Sequence, residues 1–260
     1  PNLLYQKYGQ AKPMPKNEGD TVCFRRFEGF DAALTPLTEG VAPSGQSLSI
    51  KTITATVEQY GDFVEISDKL DMAGIDPVLT EVAKMFGEQA GDTIDKVVRN
   101  VVTAGTTVIY PKGRADRASI TASDILTVSD IKRAVTVLRK NNAKPIDGKY
   151  FIGIFSPSQI SDLMEDEDWK EYAIQASLEM YAKGEAGMIH GVKILDSTNV
   201  PVVNNGTTDV HLGLIIGKDA YGVVDIDGSS KPEMIVKPHG SAGTADPLNQ
   251  KATSGWKAML

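Results

Sequence analysis

Cysteine is nearly absent: Cys23 is the single one in 260 residues. That excludes an intrachain disulfide framework and any cysteine-based metal cluster. Histidine is scarce as well. His190, His211 and His239 have no second His or Cys at ligand spacing, so a zinc-type site has no support. No apolar run approaches the roughly 20 residues that a bilayer span needs. The opening segment PNLLYQKYGQ carries no secretory apolar core. It begins without Met, so the reading allows for residues lost upstream by processing. The phosphate-binding loop, the G-x-S-x-G elbow and a G-x-G-x-x-G following a strand are all missing. Positive charge is in deficit too, with 27 Lys and Arg against 34 Asp and Glu, a net charge of −7. Such a chain does not wrap phosphates with its whole surface, so nucleic-acid binding is not its main activity and only local basic patches remain.

What is present is a large apolar fraction, 41%, enough for a sizeable core in one large domain or two modest ones. The most informative stretch is 35–104. It opens with a loop, PLTEGVAPSGQ (36–46), dense in Pro and Gly and therefore exposed. An extended region follows, LSIKTITATVEQYGDFVEIS (48–67), rich in Thr, Ile and Val. Gly61 interrupts it, which suggests a bulge or tight bend. A long helix then starts at Asp76-Pro77, a capping side chain followed by Pro at the first helical position. Its apolar positions are Leu79, Val82, Phe86, Ala90, Ile94, Val97 and Val101, spaced three or four apart throughout. The opposite side carries the pairs Asp92/Lys96 and Asp95/Arg99 with the acid first. Gly87 and Gly91, one turn apart, suggest close approach of another backbone.

The remainder mixes elements. Residues 1–19 read as an arm with little regular structure, and TVCFRRF (21–27) as a strand. An amphipathic helix is expected at 129–141 and a buried strand at 150–155. Helices at 157–164 and 168–182 follow. Strands are expected at 188–195 and 212–217, with one helical turn at 218–221 leading into a strand at 222–226. A final strand pair is expected at 233–238 and 252–259. The pattern is α+β, neither a regular βαβ array nor a repeat.

Several motifs resemble chemistry and read better as structure. Cys23, in a strand without a nearby His, reads as a bystander. Glu165, Asp166, Glu167 and Asp168 are consecutive, so they cannot converge on one ion and read as an inter-helix turn. Asp225-Ile-Asp227-Gly228 lacks the later ligands of a calcium loop and reads as a strand-ending turn. Basic residues gather at Arg25 and Arg26, at Lys112, Arg114 and Arg117, and at Lys132, Arg133, Arg139 and Lys140. The last group reads as a solvated helix face, and the middle one is compatible with a phosphate-facing loop. No catalytic residue, cofactor or metal is expected, so the chain does not read as an enzyme.

The order of parts resembles a tailed-bacteriophage major capsid protein of the Hong Kong 97-like (Johnson) fold, closest to the family typified by the phage N-four capsid protein. The segments that carry this are KPMPKNEGDTVCFRRFE (12–28), PLTEGVAPSG (36–45), VEQYGDFVEISDKLD (57–71), GEQAGDTIDKVVRNVVTAGT (87–106) and DPLNQKATSGWKAM (246–259). The resemblance implies an α+β fold with an N-terminal arm (1–20) and an extended β-hairpin loop (21–66). It also implies a peripheral domain (67–123 and 222–260) with a spine helix at 77–104, and an axial domain (124–221). It further implies a structural subunit that self-assembles into hexamers and pentamers of an icosahedral shell around double-stranded DNA. The expected location is the virion, with the host cytoplasm during assembly and no membrane. Beside copies of itself, the expected partners are the packaged double-stranded DNA, by weak non-specific contact, and portal, scaffold or decoration proteins. Expected intersubunit residues are Pro36, Leu37, Glu39 and Gln46 on the loop, with Arg25 and Arg26 on the strand leading into it. Some relatives of this fold cross-link a loop Lys to a distant Asn. Residues 35–50 contain no Lys, and nothing in the sequence pairs Lys51 with Asn249. Two alternatives stand beside this reading: an encapsulin-like compartment shell, and an α+β enzyme with a dispersed site.

Overall fold

The computed structural model describes residues 4–14, 19–73, 78–176, 187–226 and 232–260. The longest element is helix α3 (Val78–Thr103), 26 residues and about 39 Å long at 1.5 Å per residue. The expected cap at Asp76-Pro77 lies outside the described residues. Before α3 come helix α1 (Leu4–Lys7), strands β1 (Gln10–Met14), β2 (Thr21–Phe27), β3 (Ile50–Thr56) and β4 (Gln59–Ser67), and helix α2 (Asp68–Ala73). The segment at 1–19 is therefore not an irregular arm throughout: α1 and β1 are ordered by docking, not by their own propensity.

The stripe on α3 works as its spacing predicts over the middle of the helix. Phe86, Ala90 and Ile94 pack on Trp256 and Ala258 of strand β13 (Lys251–Met259). That strand lies between β12 (Glu233–Lys237) and β4 in a three-stranded sheet, so the expected pairing of the last two strands is present. A polar bridge locks sheet to helix. Trp256 Nε1 donates to Gln89 Oε1 at 2.9 Å, and Gln89 Nε2 donates to Asp62 Oδ2 at 2.9 Å. The β4–β13 register is unbroken from Lys251↔Ser67 to Met259↔Gln59. Gly61 therefore marks no bulge. A Cβ there would lie 2.5 Å from the Trp256 carbonyl oxygen, so glycine is what lets the two backbones approach. Gly87, by contrast, has open space around it within the subunit, and Val101 is 73% exposed.

The second core lies in a four-stranded sheet of order β10-β5-β7-β6. Its strands are β5 (Phe151–Phe155), β6 (Met188–Ile189), β7 (Val192–Asp196) and β10 (Leu214–Ile216). On one face, Phe151, Phe155, Val192 and Ile194 pack against helices α4 (Val128–Lys140), α5 (Pro157–Glu165) and α6 (Glu167–Ala176). The rest of the helix expected to 182 lies outside the described residues. Two capping boxes set helix starts: Thr127 with Asp130 on α4, and Ser156 with Gln159 on α5. The strand expected at 188–195 is instead a hairpin. His190 and Gly191 both take positive φ, the pattern of a type I′ turn, so the chain reverses between β6 and β7. No helical turn forms at 218–221; Asp219 takes positive φ there instead. Strands β8 (Val202–Asn204) and β9 (Asp209–His211) form a small ribbon.

Tyr5 of α1 joins the two cores. It is fully buried with Ile152, Ile154, Val200 and Ile216. Its backbone N–H donates to Asp95 Oδ1 at 3.0 Å, and Asn199 Nδ2 donates to Asp95 Oδ2 at 3.0 Å. Asp95 is thus 1% exposed and not the surface partner of Arg99 that its spacing suggested. Arg99 turns to the Asn199 carbonyl, 2.8 Å away. The neighbouring pair Lys96–Asp92 does form, at 2.6 Å. The Tyr221 hydroxyl donates to the Tyr5 carbonyl. Burial first, then the Asp95 carboxylate, pushes the Tyr5 phenol up to about 12, so it stays neutral.

Candidate intersubunit surface

Strands β2 and β3 form an isolated two-stranded ribbon, paired from Thr21↔Thr56 to Phe27↔Ile50. The segment expected as one outstretched loop, 21–66, therefore contains two differently paired pieces, because β4 joins β13. Among the described residues the ribbon packs against the rest of the subunit at its root. Met14, Val22 and Val224 form a small core with Phe24, Ala55 and Val57 beside it. There β1 runs parallel to β11 (Gly222–Ile226). The Phe24 ring lies where a Cβ on Gly222 would stand, 2.5 Å away, so only glycine admits this seat. The Lys12 ammonium sits 5.8 Å above the same ring and donates to the Cys23 carbonyl.

Beyond that root the apolar side chains have no cover. Phe27 is 61% exposed, Leu34 87%, Leu37 78% and Ile53 65%, with Phe30, Val41 and Leu48 similar. Ordering of the loop between β2 and β3 is sparse: Glu28 N–H donates to the Ser49 carbonyl at 3.0 Å, and Gln46 Nε2 to the Asp31 carbonyl at 2.9 Å. Pro36, Leu37, Glu39 and Gln46 all lie on this exposed loop, and Arg25 and Arg26 on the exposed end of β2. Arg26 stands directly opposite Lys51, a like-charge pair that weakens a ribbon on its own. Lys51 is drawn to Glu28 at 2.5 Å, which holds the Glu28 carboxyl below its ordinary value. Thus Lys51 is engaged within its own ribbon, while Asn249 lies in a turn beside Gly240.

The other sequence motifs resolve into framework. Asp166 accepts from Val128 N and Asp168 N, each at 3.0 Å, and so caps the starts of α4 and α6. Lys112 and Arg114 remain exposed and share the buried Asp124 carboxylate, at 3.5 and 3.0 Å, which partly neutralises them. The motif at 225–228 lies largely outside the described residues. His239 Nε2 is 3.7 Å from Asp71 Oδ2, beyond hydrogen-bond reach. Among the described residues no group of three or more His, Cys, Asp or Glu could hold a metal, and no helix is long and apolar enough to cross a membrane. A cavity of about 450 Å³ lies beside α4 and α5, with Asp162 and His211 on its wall. Burial raises the Asp162 carboxyl, but among the described residues no hydroxyl is hydrogen-bonded to it or to the His211 ring. The nucleophile–base pairing of acyl-transfer sites is not assembled there.

A rod packed on one sheet, a second sheet with helices, and a long unsupported ribbon describe a subunit that tiles. The family model described as phage capsid protein matches residues 50–259, and the chain belongs to that family. No curated protein matches it in sequence. Among solved structures, the capsid of cyanophage P-SCSP1u aligns with a TM-score of 0.72 at 16% identity, covering 97% of this chain and 81% of that one. The head of Helicobacter pylori bacteriophage KHP40 aligns with a TM-score of 0.71 at 13% identity, covering 96% and 80%. The capsid of Ralstonia phage GP4 gives 0.67 at 16%, covering 97% and 82%. At these identities the likeness shows the fold, which is the Hong Kong 97-like α+β capsid fold. Family and fold together make the chain a structural capsid subunit, a virion component that assembles with copies of itself into a shell. Nothing in them favours the encapsulin alternative.

Proposed function

We propose that the ribbon and its loop are the arm by which one subunit grips the next, in hexamers and pentamers of an icosahedral shell around double-stranded DNA. The observation that carries this is the exposed apolar run from Phe27 to Ile53 on a ribbon with no second layer. Two strands alone are marginal in water, and an exposed apolar strand edge is an aggregation hazard unless a partner covers it. A neighbouring copy supplies that cover, with Leu37 and Pro36 seated, Gln46 shaping the loop base, and Arg25, Arg26 and Glu39 pairing at the rim. Contacts of this kind are individually modest and add up over a closed shell.

In this reading 1–20 is the arm and 21–57 the extended loop. The peripheral domain is 58–123 with 222–260, and the axial domain 124–221. The boundary after the loop is placed before β4 because β4 pairs with β13. Assembly takes place in the host cytoplasm, with portal, scaffold and decoration proteins as partners. The role is structural, and catalysis has no part in it. The test is deletion of residues 36–46. The expected product is a folded subunit that forms no closed particles; intact shells in electron micrographs of that deletion would remove the loop from the assembly mechanism.

A further inference from the structure

The net charge is −7, yet one end of the four-stranded sheet is strongly basic. Arg139 and Lys140 end helix α4, Lys144 and Lys149 lie in the connection to β5, Lys193 is the second residue of β7, and Lys218 follows β10. Backbone pairing gathers them. Phe151 N–H donates to the Gly191 carbonyl at 2.8 Å, and Lys218 N–H to the Lys144 carbonyl at 2.8 Å. A Cβ on Gly191 would lie 3.8 Å from the Arg139 guanidinium, and the Lys193 ammonium sits 5.8 Å from the Tyr150 ring centroid. All six side chains are exposed. Among the described residues none of the six forms an ion pair with a carboxylate, unlike Lys112, Arg114 and Arg133, which are all paired. The acids in the same turns are Asp147 and Asp219, which leaves four uncompensated charges.

We propose that this end of the axial sheet is a surface for the phosphate backbone of nucleic acid, bound by charge without reading sequence. The proposal rests on the shell reading and adds to it which face of the subunit turns toward the packaged contents. A protein partner would call for apolar or aromatic anchors at the centre of the patch. Met188, opposite Lys193 on the edge strand, is the one large exposed hydrophobic side chain beside the patch, and none falls in 139–150, 191–193 or 216–219. Spaced, exposed and unpaired cations without anchors suit phosphates, which position a ligand electrostatically.

The test uses the sub-shell fraction of the purified protein and a fluorescent 30-base-pair duplex of arbitrary sequence, titrated by anisotropy over a salt series. Non-specific binding on the order of 10⁻⁴–10⁻⁶ M is expected at moderate salt, falling with salt at about 0.9 per phosphate contact. The triple variant Lys144→Gln/Lys149→Gln/Lys193→Gln should lower that slope by about 2.7 and weaken all duplexes alike. Circular dichroism would confirm its fold, and the single variant Lys149→Gln, in an exposed turn, should lower the slope by about 0.9. An unchanged slope in both variants overturns the proposal. So does tighter binding of a poly-glutamate peptide than of the duplex, which would point to an acidic protein instead. Particle formation followed by sedimentation in the same samples tests the shell reading separately. Shells that form with an unchanged slope remove the nucleic-acid surface alone, and a lowered slope without shells removes the tiling alone.

Discussion

Replacing Leu34 and Leu37 together by Ala separates assembly from folding. The two side chains are 87% and 78% exposed, so within the subunit the change touches almost nothing. Its unfolding free energy should stay within about 0.5 kcal/mol of the parent, as for surface substitutions generally. In the proposed contact the same side chains are covered by a neighbour. Full burial of a Leu contributes about 1.5–3 kcal/mol, and truncation to Ala forfeits most of it, about 2 kcal/mol each. If each subunit gives one loop and receives one, as proposed, the loss is about 4 kcal/mol per subunit. At 1.4 kcal/mol per factor of ten, the subunit concentration at which shells appear should rise by about three orders of magnitude. Light scattering and sedimentation velocity over a dilution series read that threshold directly, and urea unfolding of the dissociated subunit reads the stability. Shells at the parental threshold would refute the loop as a buried joint. A large loss of subunit stability would refute it as well, since the loop would then be packed within its own chain.

Three further outcomes are expected. Asp95→Ala strands the Tyr5 N–H and Asn199 Nδ2, each bonded at 3.0 Å, at about 1–3 kcal/mol per buried donor; urea unfolding should show a loss of about 3 kcal/mol, and limited proteolysis should open the segment around Tyr5, whereas an unaltered midpoint would mean that water satisfies both donors. Ile94→Pro removes a helical hydrogen bond within α3 at a position 1% exposed, and cooperative unfolding should vanish from its thermal melt; a parental melt would contradict the packing of α3. The Asp124 carboxyl is held down to about 2 from 3.8, first by the Thr121 backbone N–H, then by the Thr121 hydroxyl and Arg114, so its contribution is present above about pH 4 and lost as pH falls toward 2; Asp124→Asn should lower the melting temperature at pH 6 and leave it close to the parent at pH 2, and parallel curves would show the carboxylate to be dispensable.

Much of the frame was legible because it depends on local periodicity. The spacing of Phe86, Ala90 and Ile94 marks the seam of α3, and the strand expected at 252–259 forms as β13. What failed did so where tertiary contact overrides a local rule. Asp95 and Arg99 satisfy the spacing of a surface pair, and nothing nearby in sequence shows that Tyr5 N–H, 90 positions away, takes the carboxylate. The four residues of α1 are too few for a stable helix and hold only because Tyr5 is enclosed. The His190-Gly191 turn hides in MIHGVKIL because an apolar run on either side of a glycine fits one strand or two. A signal was available, since His followed by Gly tolerates two positive φ angles better than most pairs. Gly61 interrupts the extended run in sequence, which suggests a bulge or bend, whereas in the fold it admits a close backbone without breaking the register. The cue for close approach lay in Trp256, far along the chain.

The exposure of the proposed surface has a different origin. A loop with Pro36, Gly40, Pro43 and Gly45 cannot form a strand or a helix, yet it carries Leu34, Leu37 and Val41, which a solvated turn has no use for. Within the subunit those side chains meet no partner, while every comparable apolar side chain in β5 is buried. Uncovered apolar side chains also occur elsewhere, Met72, Met85, Val101 and Leu248 among them, but the loop and ribbon carry the longest run of them in sequence, which is what supports the proposal that a second molecule covers this arm. The root obeys the opposite logic: Phe24 and Gly222 fit so closely that the arm's exit is fixed, whereas its tip is held by little more than Gln46. In the proposed contact, a fixed root with a sparsely held tip would let one chain meet its neighbours at slightly different angles around five-fold and six-fold rings.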